Sequence, residues 1–481
     1  MPPVIATIIC AVGIAGLFWL DRDRKAKTSH ALWIPTIWLL LACSRSATAW
    51  LGMESPDSAS AMMDGSPMER LVLGGLLIVG LIVLISRGRM PRILRANGPV
   101  FFFYLYCLFS ILWSDFPAIA LRRWPRSLGD VIMVLIVLTD PQPLAAFRRL
   151  LARLGFFLIP LSILFIKYYP ALGMAWNPWT GSAEYIGVTE NKNTLGVVCL
   201  CLGLASLWRL FSAFKDWRGL ARIRQLTAHG IILIMTIYLF VRMNAMTSTS
   251  CFVMASALMA VASMRISFRR PAIVHAMVVF MVVASVSVLF LGVSPDALKA
   301  IGRNPTLTER TIIWQEMLKQ VSNPVFGTGF ENFWLGKRLD EIWRQTGTLH
   351  PNEAHDGYLE VYLNLGWVGI GLLGFVLAMG YRTVFREWRN GDPRGPLLLA
   401  YFCSALIYNC TEAAFFKMQA PAWLFLLFAI TCLPRKSVVR GSVTGIDIVP
   451  DPWLAGVQGE SLPSSRNKKG VGSGVVVGKW A

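Results

Sequence analysis

The chain has 481 residues, of which 55% are hydrophobic and 15% charged, and its mean hydropathy is +0.54. Soluble domains carry about 25% charged residues, so most of this surface does not face water, and a soluble globular enzyme is excluded. The formal net charge of +19 would suggest nucleic acid in a soluble protein; here its distribution is read against the positive-inside rule, with no nucleic-acid partner expected.

Apolar runs of about 18 to 22 residues have the length of a bilayer-spanning helix. Thirteen such segments are read, at about 3–20, 31–50, 70–86, 98–113, 120–138, 150–167, 193–210, 228–242, 248–264, 271–293, 357–380, 396–411 and 419–433. They predict an all-α polytopic membrane protein with twelve or thirteen transmembrane helices. The first segment lacks a basic leader, and Arg22, Arg24, Lys25 and Lys27 follow it. A cleaved signal is therefore not expected, and the N-terminus is placed outside.

Alternation then puts the Arg- and Lys-rich loops inside. Of the 46 Lys and Arg residues, 30 fall inside, together with 9 of the 27 Asp and Glu. The inside carries +21 and the outside −2. Shifting the topology by one segment would destroy this asymmetry. The nine cysteines all lie in or at the ends of apolar stretches, as small packing residues do, without a disulfide or metal pattern.

Two stretches lie outside the membrane. Residues 434–481, rich in Gly, Ser and Val, read as an inner-face tail without a packed core. Residues 294–356 form a large outer loop within the membrane domain, which spans 1–433. In that loop, Glu309 to Val321 reads as an amphipathic helix that Thr308 caps and Asn323-Pro324 ends. The stretch from Phe330 to Leu339, with Phe333, Trp334 and Leu335, is expected on the membrane surface.

Charge that breaks the inside rule is the functional signal. Arg122, Arg123 and Arg126 sit at the outer end of the fifth segment, and Arg122, Arg126 and Asp130 share one helix face. They suit an anion such as phosphate, or else headgroup snorkelling with an Arg126–Asp130 pair. Arg45 and Arg242 are lone cations near outer ends, open to the same two readings. Arg310 opens the loop helix, whose free N–H groups would add to an anion site.

His355 is flanked by Glu353, Asp356 and Glu360, and histidine beside carboxylates can serve as a general base. A polar entry turn to a helix is the alternative. His350 is the weaker candidate, and a His350–His355 zinc pair lacks a third ligand. Asp21-Arg22-Asp23 lies on the inner face and reads as topogenic rather than metal-binding.

A series of motifs then follows in order. Trp113-Ser114-Asp115 precedes Pro117 and Leu121-Arg122-Arg123. Asn191-Lys192-Asn193 opens a helix with Leu195-Gly196. Thr308-Glu309-Arg310-Thr311 precedes Ile313-Trp314. Asn323-Pro324 and Phe326-Gly327-Thr328-Gly329 come next, followed by His355-Asp356-Gly357-Tyr358-Leu359 and Leu365-Gly366-Trp367-Val368-Gly369. Over roughly residues 1–433 the chain resembles the bacterial O-antigen ligase and polymerase superfamily, most closely the ExoQ-like exopolysaccharide polymerases. Thr411-Glu412 fits as well.

The resemblance implies a GT-C-like, metal-independent glycosyltransferase of the bacterial inner membrane, without cofactor. Its donor would be an undecaprenyl-pyrophosphate-linked oligosaccharide, and a glycan hydroxyl would be the acceptor. Membrane lipid surrounds it, and chain-length regulator and export proteins are partners of such enzymes. Arg310, Arg122 and Arg123 match a role on the pyrophosphate. Either His355 or Asp356 matches the base, since the usual His-Asn is His-Asp here.

Lys192, Asn193 and Glu412 match substrate contacts, and Trp176, Trp179, Phe333 and Trp334 could stack on sugars. The Ser-Arg pair common in ligases is replaced by Thr247-Ser248-Thr249-Ser250-Cys251, with Arg242 nearby. A ligase acting on lipid A or protein is the alternative within the class. A lipid-linked oligosaccharide transporter is the alternative outside it, but no internal repeat is visible.

Overall fold

The computed structural model describes residues 1–23, 26–52, 66–176, 181–290, 306–347 and 351–432, with side chains except at 288–290 and 306–312. His350, Trp179, the side chains of Thr308 and Arg310, and the tail from 434 lie outside the described residues.

The fold is all-α, and each of the thirteen apolar segments is helical. The helices are α1 (Pro3–Leu20), α2 (Trp33–Ala42), α3 (Pro67–Ser86), α4 (Gly98–Phe109), α5 (Pro117–Leu138), α6 (Pro143–Tyr168), α7 (Lys192–Asp216) and α8 (Gly219–Met243). After them come α9 (Met246–Ser263), α10 (Ala272–Phe290), the loop helices α11 (Thr306–Lys319) and α12 (Gly336–Thr346), then α13 (Gly357–Arg389), α14 (Gly395–Tyr408) and α15 (Pro421–Ile430).

Seven of these are long and apolar enough to cross a bilayer, and the pair Met90–Ala96 with Gly98–Trp113, bent by 89°, makes an eighth. Four more are apolar but shorter. The thirteenth, α5, carries Arg122, Arg123, Arg126 and Asp130 within 22 residues. A short antiparallel pair, Met174–Trp176 with Ala183–Tyr185, lies between α6 and α7.

Lipid tails are as apolar as Leu, so helix contacts inside a membrane depend on close packing rather than on water exclusion. Small residues supply it here. A side chain at Gly203 would collide with Phe252 and Thr236, and one at Gly196 with Ser248, so α7, α8 and α9 approach closely. Every residue of α15 is buried, whereas α1 and α3 present exposed apolar faces. The described cysteines are free thiols, mostly buried in this core.

The motifs around Gly327 and Gly366 meet. α13 is broken at Gly366, which adopts φ 64° and ψ −164°. A side chain there would overlap the Val325 carbonyl, and one at Gly327 would overlap the Asn364 carbonyl. The groups freed by the break are bonded across: Trp367 N–H donates to Pro324 O (3.0 Å), Val368 N–H to Val325 O (3.1 Å), and Gly329 N–H to Asn364 O (2.8 Å). The third motif joins them, with Ser114 accepting from Asn332 Nδ2 and Asp115 paired to Arg338 (2.7 Å).

The long loop between α10 and α13 has its own small core of Met317, Phe333, Trp334, Leu339, Ile342, Ala354 and Leu363. This corrects the expectation that Phe333, Trp334 and Leu335 lie on the membrane surface. They are fully or almost fully buried, because α12, which the sequence reading missed, folds over them. The loop helix begins at Thr306, so Thr308 lies inside it rather than capping it.

Candidate functional site

A cavity of about 550 Å³ opens at one end of the bundle. Its lining includes Ser44, Ser46, Glu69, Glu184, Glu190–Thr194, Asn352, Glu353, His355, Tyr408, Glu412 and Lys417–Ala422. All of these segments were assigned to the same, outer face by charge alternation.

At its centre His355 Nδ1 lies 3.1 Å from Glu353 Oε1 and 3.4 Å from Glu412 Oε2. His355 is held in the left-handed region at φ 50°, immediately before Asp356. The Asp356 carboxylate caps α13, with Oδ1 accepting from Tyr358 N–H (2.9 Å) and Leu359 N–H (2.8 Å). Asp356 is buried and does not line the cavity.

Lys417 Nζ is bonded to Glu353, and Asn193 Nδ2 donates to Glu412 Oε1 at 3.1 Å. Lys192, the first residue of α7, pairs with Glu184 (2.6 Å). The sequence reading did not single out Glu353, Lys417, Glu69, Glu184 or Glu190 as site residues. Lys417, a cation between two apolar segments on the outer face, was the available signal.

Burial alone would discourage the charged form of His355. The hydrogen bonds to Glu353 and Glu412 and their negative charges outweigh it and lift the pKa to about 9. Burial likewise disfavours the Glu353 carboxylate, yet Lys417 and His355 hold its pKa down at about 2. At neutral pH His355 is thus an imidazolium. In that form its Nδ1 donates rather than accepts.

Glu353, His355 and Glu412 offer ligand atoms within 4.8 Å of one another, close enough for a metal ion. Lys417 and the His355 proton already supply positive charge to both carboxylates there.

Backbone staples hold the site. Asn409 Oδ1 accepts from Ala414 N–H and Phe415 N–H, both at 2.9 Å, and its carbonyl accepts from Gly357 N–H (2.7 Å). Glu360 accepts from Ala354 N–H (2.9 Å) and Trp334 Nε1 (2.7 Å). Asp130 accepts from Trp38 Nε1 (2.8 Å) and Gln419 N–H (3.1 Å), so it anchors the Lys417 loop rather than pairing with Arg126.

A second cavity, of about 200 Å³, is lined by Arg70, Arg122, Arg123 and Arg126 with Trp38, Leu77 and Pro125. Leu73 lines both cavities, and the consecutive residues Glu69 and Arg70 line one each. Arg123 also donates to the Glu331 carbonyl (2.7 Å). Burial raises the pKa of the Glu331 carboxyl, and the charges of Arg123 and Lys417 oppose that rise.

Other predicted residues lie elsewhere. Arg45 donates to the carbonyls of Leu172, Gly187 (3.2 Å) and Thr189 (3.4 Å). Arg242 donates to Tyr185 Oη (2.7 Å) and covers its ring. Both support the loop before α7 and line neither cavity. Trp176 is 74% exposed. Arg310 occupies α11 one turn before Trp314, whose Nε1 donates to Ala354 O (2.8 Å) beside His355.

Residues 230–374 match the family described as O-antigen ligase. Over 320 residues the chain is 23% identical to the exopolysaccharide production protein ExoQ of Rhizobium meliloti (strain 1021), covering 64% of this chain and 70% of that protein. Both matches are likenesses to O-antigen ligase and ExoQ-like proteins. The chain is a multi-pass membrane protein with a polysaccharide-related, glycosyltransferase-like role. The family match includes α11 and His355, while Arg70, the α5 arginines and Glu412 lie before or after it.

Proposed function

We propose that this protein polymerises repeat units of a bacterial surface or exopolysaccharide at the periplasmic face of the inner membrane. The donor is an undecaprenyl-pyrophosphate-linked oligosaccharide and the acceptor a glycan hydroxyl. The observation that carries this reading is the adjacency of an arginine-lined cavity and a carboxylate–imidazolium cavity across Leu73 at one end of the bundle.

The pyrophosphate rests against Arg70, Arg122, Arg123 and Arg126, and the sugars extend into the larger cavity. The acceptor hydroxyl attacks the anomeric carbon and passes its proton to Glu412, the carboxylate held by Asn193 and His355. The bond from anomeric carbon to phosphate oxygen breaks. Negative charge grows on the leaving pyrophosphate, where preorganised guanidiniums stabilise it. Arg310, from the helix tied to Ala354, is assigned to the same anion.

His355 as imidazolium and Lys417 keep the Glu353 carboxylate ionised and supply positive charge to the cluster, and this supports a metal-independent reaction. A ligase delivering glycan to lipid A or protein would use the same two cavities with a different acceptor. A transporter reading has less support, because no internal repeat is visible in the sequence.

The test uses protein in nanodiscs with the lipid-linked repeat unit extracted from the source organism's membranes, in EDTA. A ladder of longer lipid-linked glycans is expected. No ladder, but glycosylation of an added lipid A or protein acceptor, would make the protein a ligase. No transfer to either acceptor would overturn the glycosyltransferase assignment.

A further inference from the structure

We propose that a cleft between α1, α2 and α6, at the end of the bundle opposite His355, seats an anionic phospholipid. The cleft encloses about 600 Å³. Trp33, Thr36 and Leu40 of α2 line it with the end of α1 and the first part of α6, while Leu41, Ala42, Ser44, Ser46 and Ala47 line the His355 cavity.

Its lining combines two chemistries. Phe18, Trp33, Leu40 and Phe157 are apolar, and three of them are exposed: Phe18 by 40%, Trp33 by 51% and Phe157 by 41%. In a bilayer such a surface takes an acyl chain. Arg22, Arg149 and Arg153 are the cations beside it.

Arg153 lies over the Trp33 ring, 3.8 Å from its centroid, and donates to Thr36 Oγ1 (3.1 Å). Arg149 donates to Thr28 Oγ1 and to Ala26 O (3.0 Å). These contacts orient two guanidiniums whose five N–H groups each exceed the bonds described. Asp21 and Asp23 also line the cleft, but the Asp21 carboxylate is paired with Arg209 (2.8 Å) and bonded to His229 Nε2 (3.2 Å). Three guanidiniums thus face one further carboxylate.

An apolar trough ending in oriented guanidiniums complements a phosphate carrying a hydrocarbon chain. Basic pockets between helices hold anionic headgroups in this way, and each Lys or Arg near the surface strengthens binding about fivefold, or about 1 kcal/mol. A zwitterionic lipid would bring its own cation against Arg22. The proposal concerns a site away from the glycan chemistry, so it stands or falls independently of it.

The test is native mass spectrometry of the full chain in mild detergent, titrated with phosphatidylglycerol, phosphatidylcholine or glycerol phosphate. Phosphatidylglycerol should be retained about tenfold better than phosphatidylcholine, and glycerol phosphate should not compete. Arg149→Gln and Arg153→Gln should each weaken phosphatidylglycerol retention about fivefold with unchanged elution in gel filtration. If either variant misfolds, Arg22→Gln, on an exposed side chain, gives the deciding measurement. Equal retention of both lipids, full competition by glycerol phosphate, or wild-type retention in the folded variants would overturn the proposal.

Discussion

Asn193 Nδ2 donates to Glu412 Oε1 at 3.1 Å, across 219 positions of sequence. The other Glu412 oxygen faces His355 Nδ1 at 3.4 Å. One carboxylate is therefore positioned from the start of α7 and from the turn before α13 at once. If it takes the acceptor proton, Glu412→Gln should lower glycan transfer by about 10²–10⁴ at normal membrane abundance. Asn193→Ala, which only loosens the carboxylate, should cost about tenfold. Near-normal transfer by Glu412→Gln would remove Glu412 from the mechanism.

The His355 cluster gives stability a pH dependence. The folded pKa of His355, about 9, lies above its ordinary 6.5. Its contribution is thus complete below 6.5 and lost as pH rises towards 9. Glu353 is depressed from 4.5 to about 2, so its contribution is present above 4.5 and lost as pH falls towards 2. The melting temperature of wild type relative to His355→Gln should differ most near pH 6 and converge by about pH 9.5. A constant difference across that range would contradict the imidazolium assignment.

The break in α13 makes a sharper structural test. Gly366 occupies a region of φ and ψ open essentially to glycine, where other residues cost about 1–3 kcal/mol, and its Cβ would meet the Val325 carbonyl. Gly366→Ala should lower the melting temperature by several degrees and weaken the docking of the outer loop. Gly371, five residues on and facing open space, is the control: Gly371→Ala should be neutral or slightly stabilising. Equal effects of the two would mean that the loop does not depend on the break.

Most of the thirteen helices were legible because they are long apolar runs, a local signal. The motif glycines were legible as residues but not as partners, since only the folded chain brings Gly327 against Asn364 and Gly366 against Val325. Phe333 and Trp334 misled because an aromatic pair beside an apolar segment reads as interfacial. Their burial depends on α12, a helix with the composition of a polar loop. The protonation of His355 was equally out of reach, because Glu412 approaches it from 57 positions away. Arg45 stood out for its charge, yet the carbonyls that occupy it belong to a loop more than a hundred residues on.

The last prediction separates the arginines that bind donor from those that hold the fold. Arg70 and Arg126 line the smaller cavity, so Arg70→Gln and Arg126→Gln should each raise the KM for the lipid-linked donor about tenfold, the loss of about one charge-assisted hydrogen bond. Arg126→Lys should recover only part of this, because an ammonium cannot grip a phosphate bidentately. Arg45→Gln should behave oppositely. It strips carbonyl partners from Gly187 and Thr189 and should lower the melting temperature, by an amount equivalent to about 1–3 kcal/mol, while the KM of the folded fraction stays near wild type. Steady-state transfer at varied donor concentration, paired with a melting curve for each variant, distinguishes the two classes. A normal KM in both Arg70→Gln and Arg126→Gln would move the pyrophosphate out of this cavity and leave Arg310 as the remaining candidate cation.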